Sequence, residues 1–527
     1  MAAEVLARSL AEPAVLAADV KLPDIDYLAI APMLVLFGAA CVGVLAAAFV
    51  PQRLRYRVQV SLVIGALLVA LGLIVTVARA GRAVATAGGA IAIDGPALFL
   101  QGSVAVLGVV AVLLIAERSL ERGGAFVSRA SLTPGSAADR DQAEQPGATE
   151  VYPLVSFALA GMMLFVSAND LLTLFVALEV FSLPLYLLCG LARRRRLLSQ
   201  ESAVKYFLLG AFSSAFFLYG VALLYGFAGA TGLGALRKAV QAGDGNTTLL
   251  FLGLAMLAVG LLFKVAAVPF HVWTPDVYQG APTPITALMA ACTKVAAFGA
   301  LLRVFTVAFP VGAVDWRPVL VAIAIATMLV GAVLAVTQTD IKRLLAYSSI
   351  ANAGYVLTGV LALSAAGVAG SLFYLVAYGF VVLAAFGVVT LVRDADGEAT
   401  HLSRWAGLGR RSPLVAGVFT FLMMAFAGIP LTSGFTSKFA VFSAALGSGQ
   451  VTLVVVGVLS SAVLAFPYLR VVVLMYLSEP AEDTPTVSLP GTLTAAALAI
   501  GVLATALLGV APAPVLDLAA KAVQFVS

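Results

Sequence analysis

Apolar runs of about 20 residues recur along this chain, from Tyr27 to the C-terminal region. A helix rises about 1.5 Å per residue, so each run is long enough to cross a hydrocarbon layer of about 30 Å. The composition agrees, because 62% of the 527 residues are hydrophobic, 11% are charged, and the mean hydropathy is +1.07. The sequence therefore predicts an all-α polytopic membrane protein.

Charges, prolines and glycines divide these runs into about fourteen predicted transmembrane helices. A polar region before the first helix is expected to be a peripheral lead-in. A second polar region, between the third and fourth helices, is expected to be a flexible loop. The predicted regions are a lead-in at 1–26, three helices at 27–116, the loop at 117–150, five helices at 151–308, five more at 317–477 and a last helix at 490–510.

The basic residues at the ends of these helices are distributed unevenly. About seventeen Lys and Arg residues follow odd-numbered predicted helices, and about five follow even-numbered ones. Loops rich in Lys and Arg remain in the cytoplasm. The loop at 117–150 is therefore predicted to be cytoplasmic, and both termini are predicted to face outward. The net charge of +5 is explained by topology and anionic lipid rather than by nucleic acid.

The sequence contains no recognisable ligand set for a metal or a cofactor. Cys41, Cys189 and Cys292 each stand alone in an apolar run, and the chain has only two histidines. Neither a Walker loop nor a dinucleotide-binding glycine motif in a suitable context is present. We therefore predict no metal-binding and no cofactor-binding residues, and we expect any redox chemistry to belong to a partner.

Five charged side chains lie within the predicted helices: Glu179, Lys205, Lys264, Lys294 and Lys438. Each costs about 2.5–3.5 kcal/mol near the middle of a bilayer, so it needs a reason. Snorkelling or a structural ion pair is the alternative to a functional role, and Lys205 fits it best because it lies near the start of its helix. Removal from water disfavours the ammonium form of a lysine, and a nearby carboxylate restores it. The row of lysines, biased by Glu179, predicts an intramembrane proton relay.

Helix-breaking residues lie beside two of these lysines. Pro269 follows Lys264 in the predicted helix 248–270, and Pro430 precedes Lys438 in the predicted helix 412–446. Proline frees backbone groups, which a membrane protein tolerates where they line an internal cavity, although a harmless kink is the alternative. Each break falls in the fourth helix of a five-helix set, and sets of five begin on opposite sides of the membrane. The sequence thus predicts two inverted five-helix repeats with broken helices, as in transporters.

Three motifs resemble a known family. They are FKVAAVPFHVWTPDVYQGAPTP from Phe263, DIKRLLAYSSIANAGY from Asp340 and GIPLTSGFTSKF from Gly428. These motifs resemble the antiporter-like membrane subunits of bacterial respiratory complex I. The sequence from Trp273 to Pro284 is similar to the corresponding sequence in the subunit N branch of that family.

The resemblance implies a proton-translocating, non-redox subunit of NADH:quinone oxidoreductase in a bacterial plasma membrane, with both termini on the periplasmic side. NADH, FMN, iron–sulfur clusters and quinone would then be bound by partner subunits. The implied partners are the neighbouring antiporter-like and small subunits of the membrane arm, together with the lipid bilayer.

The resemblance also assigns positions in this chain. Glu179 matches the glutamate of the family's fifth helix, and Lys205 matches the sixth-helix lysine with which the family pairs it. The lysines of the seventh, eighth and twelfth helices are matched by Lys264, Lys294 and Lys438.

Other polar residues near these positions are candidates for two further roles. His271, Asp276 and Tyr278 are candidates for proton uptake, with a hydrogen-bonded loop as the alternative. A second group is a candidate water file between Lys294 and Lys438, with ordinary helix packing as the alternative. This group consists of Tyr347, Ser348, Ser349 and Asn352.

Two other functions remain open on the sequence. A subunit of an Mrp-type cation/proton antiporter would share the helices and the buried charges but would have no connection to NADH. A purely structural scaffold would not need five charges within its helices.

Overall fold

The computed structural model describes most of the chain between Asp24 and Val526. The described residues are 24–81, 83–121, 124–127, 132–133, 136–138, 141, 149–243, 245–310, 313–394, 397–480 and 485–526. The predicted lead-in therefore lies outside the described residues except for its last three positions.

Helices dominate the described part of the chain, and twelve of them are long and apolar enough to cross a membrane. Two shorter apolar helices, α4 and α15, accompany these twelve. The helices are α1 (Tyr27–Phe49), α2 (Gln52–Arg79), α3 (Gly95–Ile115), α4 (Val151–Ser167), α5 (Leu171–Cys189), α6 (Arg196–Ala228), α7 (Leu233–Ala242), α8 (Thr247–Val265), α9 (Trp273–Gly280), α10 (Thr283–Ala308), α11 (Ala313–Val336), α12 (Ile341–Leu361), α13 (Ala365–Val389), α14 (Leu408–Arg411), α15 (Pro413–Ala427), α16 (Ser433–Gly447), α17 (Val451–Leu477), α18 (Thr492–Val510) and α19 (Ala513–Lys521). The prediction of an all-α polytopic membrane protein is confirmed.

The strands are short and lie in the connections between helices. An antiparallel hairpin joins β1 (Val84–Thr86) to β2 (Ile91–Ile93), with Val84 opposite Ile93. A second antiparallel sheet has the order β4-β3-β5. Its strands are β3 (Val392–Asp394), β4 (Gly397–Glu398) and β5 (Thr486–Val487).

Short polar side chains set where many of these helices begin. Asp26, Asp170 and Asp340 each accept hydrogen bonds from backbone N–H groups in the first turn of the following helix. Such caps satisfy donors that have no partner within a helix. Inside the bilayer, the remaining backbone groups are satisfied because the apolar segments stay helical.

Two predicted helices are discontinuous. The predicted helix 248–270 ends at Val265 as α8, and the chain resumes as the short helix α9. The predicted helix 412–446 consists of α15 and α16, separated by residues 428–432. Each break lies in the fourth member of a five-helix set, and the two sets begin at opposite ends of the bundle. The predicted inverted, broken-helix architecture is therefore confirmed.

The bundle has two ends, which differ in charge. At the basic end, loops around Arg193, Lys342 and Arg393 meet, and Arg195 donates to the backbone oxygen of Glu398 at 2.9 Å. At the opposite end, Asp26 N–H donates to Thr86 in β1, and Val526 N–H donates to Asp94, the residue after β2. The described beginning and end of the chain therefore share one side of the bundle.

Part of the predicted loop at 117–150 packs against the basic end. Phe126 is buried, Val127 N–H donates to the Leu191 carbonyl at 3.0 Å, and Arg193 N–H donates to the Ala125 carbonyl at 2.9 Å. Flexibility was predicted for the whole loop, but these described residues hold fixed contacts. Many of its other residues, including all of 142–148, lie outside the described part.

The most buried helices form the centre of the bundle. The apolar window of α10 is 100% buried, and those of α12 and α13 are each 94% buried. The corresponding values for α1, α2, α17 and α18 are 28–39%, which places these helices at the rim. Lys294 and Arg303, the charged side chains of α10, are therefore shielded from water and lipid.

A buried ion pair closes the opposite end of the bundle. Arg303 of α10 donates to both carboxylate oxygens of Asp94 at 2.9 and 2.7 Å, and both side chains are 0% exposed. The Asp94 carboxylate also accepts from Ala97 N–H and from Val526 N–H in the C-terminal segment. The two-point contact satisfies both charges, so it ties α10, α3 and the C-terminal segment together.

We expect Arg303→Gln to destabilise the protein by about 3–5 kcal/mol, because it leaves the Asp94 carboxylate buried without its cation. The amount of intact complex on native gels and its melting temperature would measure this loss. The double variant Asp94→Asn/Arg303→Gln should be more stable than the single variant. If Arg303→Gln were as stable as the parent, the Asp94–Arg303 pair would not contribute to the stability of the protein.

Candidate functional site

Helix breaks create acceptors inside the bundle. Ala266, with a φ of 63°, ends α8, and Gly428, with a φ of 84°, ends α15. Both conformations are left-handed, and at Gly428 the lack of a Cβ removes the strain. Because the last carbonyls of a helix have no partner within it, each break leaves oxygen atoms that need donors.

Lys438 supplies those donors at the break between α15 and α16. Its ammonium Nζ lies 2.9 Å from the Phe426 carbonyl, 3.1 Å from the Ala427 carbonyl and 2.8 Å from Ser461 Oγ. The side chain is 7% exposed. The C-terminus of a helix favours a positive charge, so the break stabilises the ammonium without a carboxylate.

Lys294 makes a similar contact at the break after α8. Its Nζ lies 3.3 Å from the carbonyl of Val265, the last residue of α8, and 2.7 Å from the carbonyl of Ser349. Lys294 is 4% exposed and follows a π-helical turn, Met289–Thr293. Such turns interrupt the regular ladder of backbone hydrogen bonds and often occur at functional sites.

Lys264 lies in the last turn of α8, next to Val265, and is surrounded by aromatic rings. Its Nζ donates to Ser182 Oγ at 2.7 Å. The ring centroids of Phe181, Tyr186 and Tyr206 lie 5.1–5.5 Å from the same nitrogen. Ring faces attract a cation, so this pocket holds an ammonium group that is only 5% exposed.

Glu179 lies one turn from Ser182 on α5. The carboxylate interacts electrostatically with Lys264, but the two side chains form no direct ion pair. Its Oε1 atom is buried, and in the described structure it has no hydrogen-bond partner. An uncompensated carboxylate oxygen is costly in an apolar interior, so a hydrogen-bond donor that reaches Glu179 is bound favourably.

Lys205 does not pair with Glu179 in this structure, which differs from what the resemblance implies. Its Nζ lies 2.7 Å from Glu201 Oε1 and 2.8 Å from Asp276 Oδ2. Asp276 also accepts from Arg343 at 2.6 Å. The lysine is 42% exposed, since its side chain lies towards the basic end, where these carboxylates are within reach. Asp276 thus holds Lys205 and Arg343 together.

The two other uptake candidates lie near this network. His271 is in the break between α8 and α9, and its Nδ1 atom is buried without a hydrogen-bond partner among the described residues. Tyr278 is 1% exposed and packs edge-on against Phe386 and Trp273. Pro269 lies in the same break, and Pro430 lies in the break after α15.

Hydroxyl and amide groups lie between the region of Lys294 and that of Lys438. Ser348 is hydrogen-bonded to Tyr468, Asn352 donates to the Ser348 carbonyl at 2.8 Å, and Tyr374 donates to Asn352. Nearer Lys438, Ser460 Oγ lies 3.2 Å from the Tyr355 hydroxyl. The ring of Tyr355 lies 5.3 Å from Lys438 Nζ. We call these two buried polar clusters, which lie along α12, α13 and α17, the polar path.

The water-file candidates occupy different places relative to this path. Ser348 and Asn352 belong to it, and the Ser349 carbonyl holds Lys294. Tyr347 is only partly buried and takes no part in these hydrogen bonds. The sequence analysis missed Tyr468, Tyr374 and Tyr355, because tyrosines in apolar runs cannot be distinguished from packing residues by spacing.

The sequence analysis also missed charged residues that the structure brings together. Arg303 lies in a predicted helix, but its partner Asp94 is 209 residues away in sequence. Lys342 is 3% exposed, and its Nζ lies 4.0 Å from Glu398 Oε2. In the described part of the chain, no three His, Cys, Asp or Glu side chains are grouped so that they could hold a metal ion.

Curated relatives match nearly the whole chain. NADH-quinone oxidoreductase subunit N of Salinispora arenicola is 68% identical over 516 residues, which cover 96% of this chain and 99% of the relative. The subunit N of Mycobacterium bovis is 56% identical and covers 95% of this chain and 98% of the relative.

Solved structures have the same fold. A chain of respiratory complex I from Thermus thermophilus matches with 34% identity and a TM-score of 0.75, over 93% of this chain and 99% of that one. A chain of the Mrp complex from Dietzia has a TM-score of 0.78 at 23% identity, over 94% of this chain and 97% of that one, a likeness of fold alone.

Residues 168–464 match the family described as NADH:quinone oxidoreductase/Mrp antiporter, TM. That segment includes both helix breaks and all five charged candidates. Together with the curated relatives, it shows that the chain belongs to this family of antiporter-like membrane subunits, in its NADH-quinone oxidoreductase subunit N branch.

Proposed function

We propose that this chain moves protons across a bacterial plasma membrane as the subunit N of an NADH-quinone oxidoreductase. The proton path runs through Glu179, Lys205, Lys264, Lys294 and Lys438. Family membership supports the reaction class, and the geometry of the lysines supports the path.

One observation carries the proposal. Lys264, Lys294 and Lys438 are each at most 7% exposed, and none forms an ion pair with a described carboxylate. If these lysines served only to stabilise the fold, we would expect each to have a carboxylate partner, because burying an unpaired ammonium costs free energy. Carbonyls, hydroxyls and rings stabilise each ammonium only in part, so the proton can leave as well as arrive.

The residues have distinct roles in this path. Lys264 and Lys294 are neighbours, since Lys294 holds the carbonyl of the residue directly after Lys264. A proton released from one can reach the other through Ser182, Ser349 or water between them. The hydroxyl chain from Ser348 to Tyr355 then leads towards Lys438.

Glu179 and Asp276 bias the first half of this path. Glu179 favours the ammonium form of Lys264 through its charge. Asp276 and Glu201 hold Lys205 near the basic end, away from Glu179. A swing of Lys205 towards Glu179 would add a positive charge beside Lys264 and favour release of its proton. The two carboxylate sites thus give Lys205 two positions with opposite effects.

Orientation follows from charge. We place the basic end in the cytoplasm, since loops rich in Lys and Arg are retained there, and both termini on the periplasmic side. Protons then move from the basic end outward against a membrane potential worth about 2.3 kcal/mol per charge per 100 mV. The energy for this step must come from other subunits, which would bind NADH, FMN, iron–sulfur clusters and quinone, so this chain serves as a non-redox part of the enzyme.

Isolation of the native complex tests the assignment against an Mrp-type antiporter. A tagged chain should co-purify with membrane-arm subunits and with an iron–sulfur-containing NADH dehydrogenase activity. Recovery with antiporter subunits that lack NADH oxidation would contradict the proposal.

Lys264→Ala should lower proton pumping by about an order of magnitude or more while the complex still assembles, because it removes a proton-carrying group but little packing surface. Dye-quenching assays of acidification in inverted vesicles would measure pumping, and native gels would measure assembly. Lys238→Ala on the exposed face of α7 is the matched control and should pump normally. An assembled Lys264→Ala complex with normal pumping would exclude Lys264 from the path.

Glu179→Gln should also impair NADH-driven pumping, since a neutral amide cannot favour the ammonium form of Lys264. Glu179→Asp keeps the charge and should retain more activity than Glu179→Gln. The same dye-quenching assay, run over a range of pH, distinguishes the two variants. If Glu179→Gln and Glu179→Asp were equally active across that range, the charge of Glu179 would have no part in pumping, and the residue would serve only in packing.

Lys438→Arg tests whether a permanent positive charge at the second helix break is enough for proton pumping. A guanidinium remains protonated at any accessible pH, so it can bind the Phe426 and Ala427 carbonyls but cannot release a proton. Pumping should fall about as far as in Lys438→Ala, with assembly preserved better in the Arg variant. Normal pumping by Lys438→Arg would place Lys438 outside the proton path.

A further inference from the structure

A half-enclosed cavity of about 50 Å³ lies at the basic end, above the first residue of α10. A water molecule needs about 10–15 Å³ measured in this way, so the cavity has room for several waters. Its lining is polar and includes Arg195, Gln279, Thr283, Lys342 and Glu398. None of these five residues was predicted to be a site residue, and none belongs to the lysine path.

Glu398 is the carboxylate of this cavity that touches α10. Its side chain is 21% exposed, and its Oε2 accepts a hydrogen bond from the hydroxyl of Thr283, the first residue of α10. Lys342 is 4.0 Å away, because its ammonium donates instead to the Ala281 carbonyl at 2.8 Å. The carboxylate is therefore close to a buried cation without being locked to it.

Other charged groups surround the cavity from every side that packs against it. Arg195 donates to the Glu398 backbone oxygen and to Thr400, while Arg193 and Arg194 line the same cavity. The remaining acidic group is Glu121, which is already paired with Arg393. Glu398 therefore faces a lining that is mainly basic.

The cavity is continuous with the helix that carries Lys294. Thr283 and Lys294 are eleven residues apart on α10, which is about three turns. Thr286, one turn below Thr283, donates to the Tyr278 carbonyl at 3.2 Å. Polar hydroxyl groups thus occupy the first turn of α10, between the cavity and the part of the helix that carries Lys294.

We propose that this cavity is the proton-uptake site of the chain and that Glu398 is the group that collects the proton. The carboxylate binds a proton from cavity water, and the Thr283 hydroxyl is placed to relay it inward along α10. Lys342 and Arg195 are positioning residues that keep the carboxylate over Thr283. The inference rests on the proposed proton-translocating function and adds the place where protons leave the cytoplasm.

Glu398→Gln tests the inference in the intact complex within inverted vesicles. With an uncoupler present, NADH:quinone turnover should fall several-fold at pH 8, where protons are scarce, and much less at pH 6. Glu398→Asp should keep more than half of the turnover at both pH values. Glu479→Gln removes an exposed carboxylate at the same end but outside the cavity, and it should behave as the parent does.

Chemical modification provides a second readout that does not alter Glu398. Ala125→Cys places a thiol in the cavity lining, and a membrane-impermeant cationic thiol reagent added on the basic side should then lower turnover several-fold. The same reagent on Glu479→Cys should have no effect.

The outcomes separate this inference from the function on which it rests. Parent-like turnover of Glu398→Gln at both pH values, with Lys264→Ala inactive, would overturn the uptake site and leave the lysine path standing. Normal pumping by both variants would overturn both. If Glu398→Gln fails to assemble, Thr283→Val decides: parent-like turnover at pH 8, together with no effect of modification at Ala125→Cys, would overturn the inference.

Discussion

The structure depends on the requirement that backbone polar groups inside a bilayer find partners within the protein. Continuous helices meet it by themselves, but two helices of this chain stop in the middle of the bundle. At each stop, the last carbonyls are completed by lysine side chains from another part of the chain. Phe426 and Ala427 are satisfied by Lys438, and Val265 is satisfied by Lys294. The breaks and the buried lysines are therefore one feature, since each would be costly without the other.

This pairing explains how titratable groups can be buried without being fixed. A carboxylate partner would hold each ammonium strongly, whereas carbonyls, a serine hydroxyl and ring faces hold it more weakly. The surroundings of Lys264 consist of Ser182 and three aromatic rings, and the negative charge of Glu179 acts from a distance. In the proposed proton path, a modest change in that field shifts the balance between the bound and the released proton at Lys264.

Much of the fold was predictable because the hydrocarbon layer limits the choices. Helix length, the buried charges and the two proline breaks follow from local sequence. The contacts that give the site its order were not predictable, because they join distant segments. The Asp94–Arg303 pair, the Ser348–Tyr468 contact and the Lys205–Asp276 pair each join positions more than 70 residues apart. Side chains such as Tyr355 also look like ordinary packing residues until their hydroxyl groups are located.

The central claim is that Lys264, Lys294 and Lys438 lie on one continuous polar path. A structure of the assembled complex at a resolution that shows ordered water tests it most directly. The account predicts water molecules or direct hydroxyl contacts bridging every gap from Lys264 through Ser349 and Tyr468 to Lys438. A dry apolar gap between Lys294 and Lys438, too long for a hydrogen bond and closed to water, would contradict it.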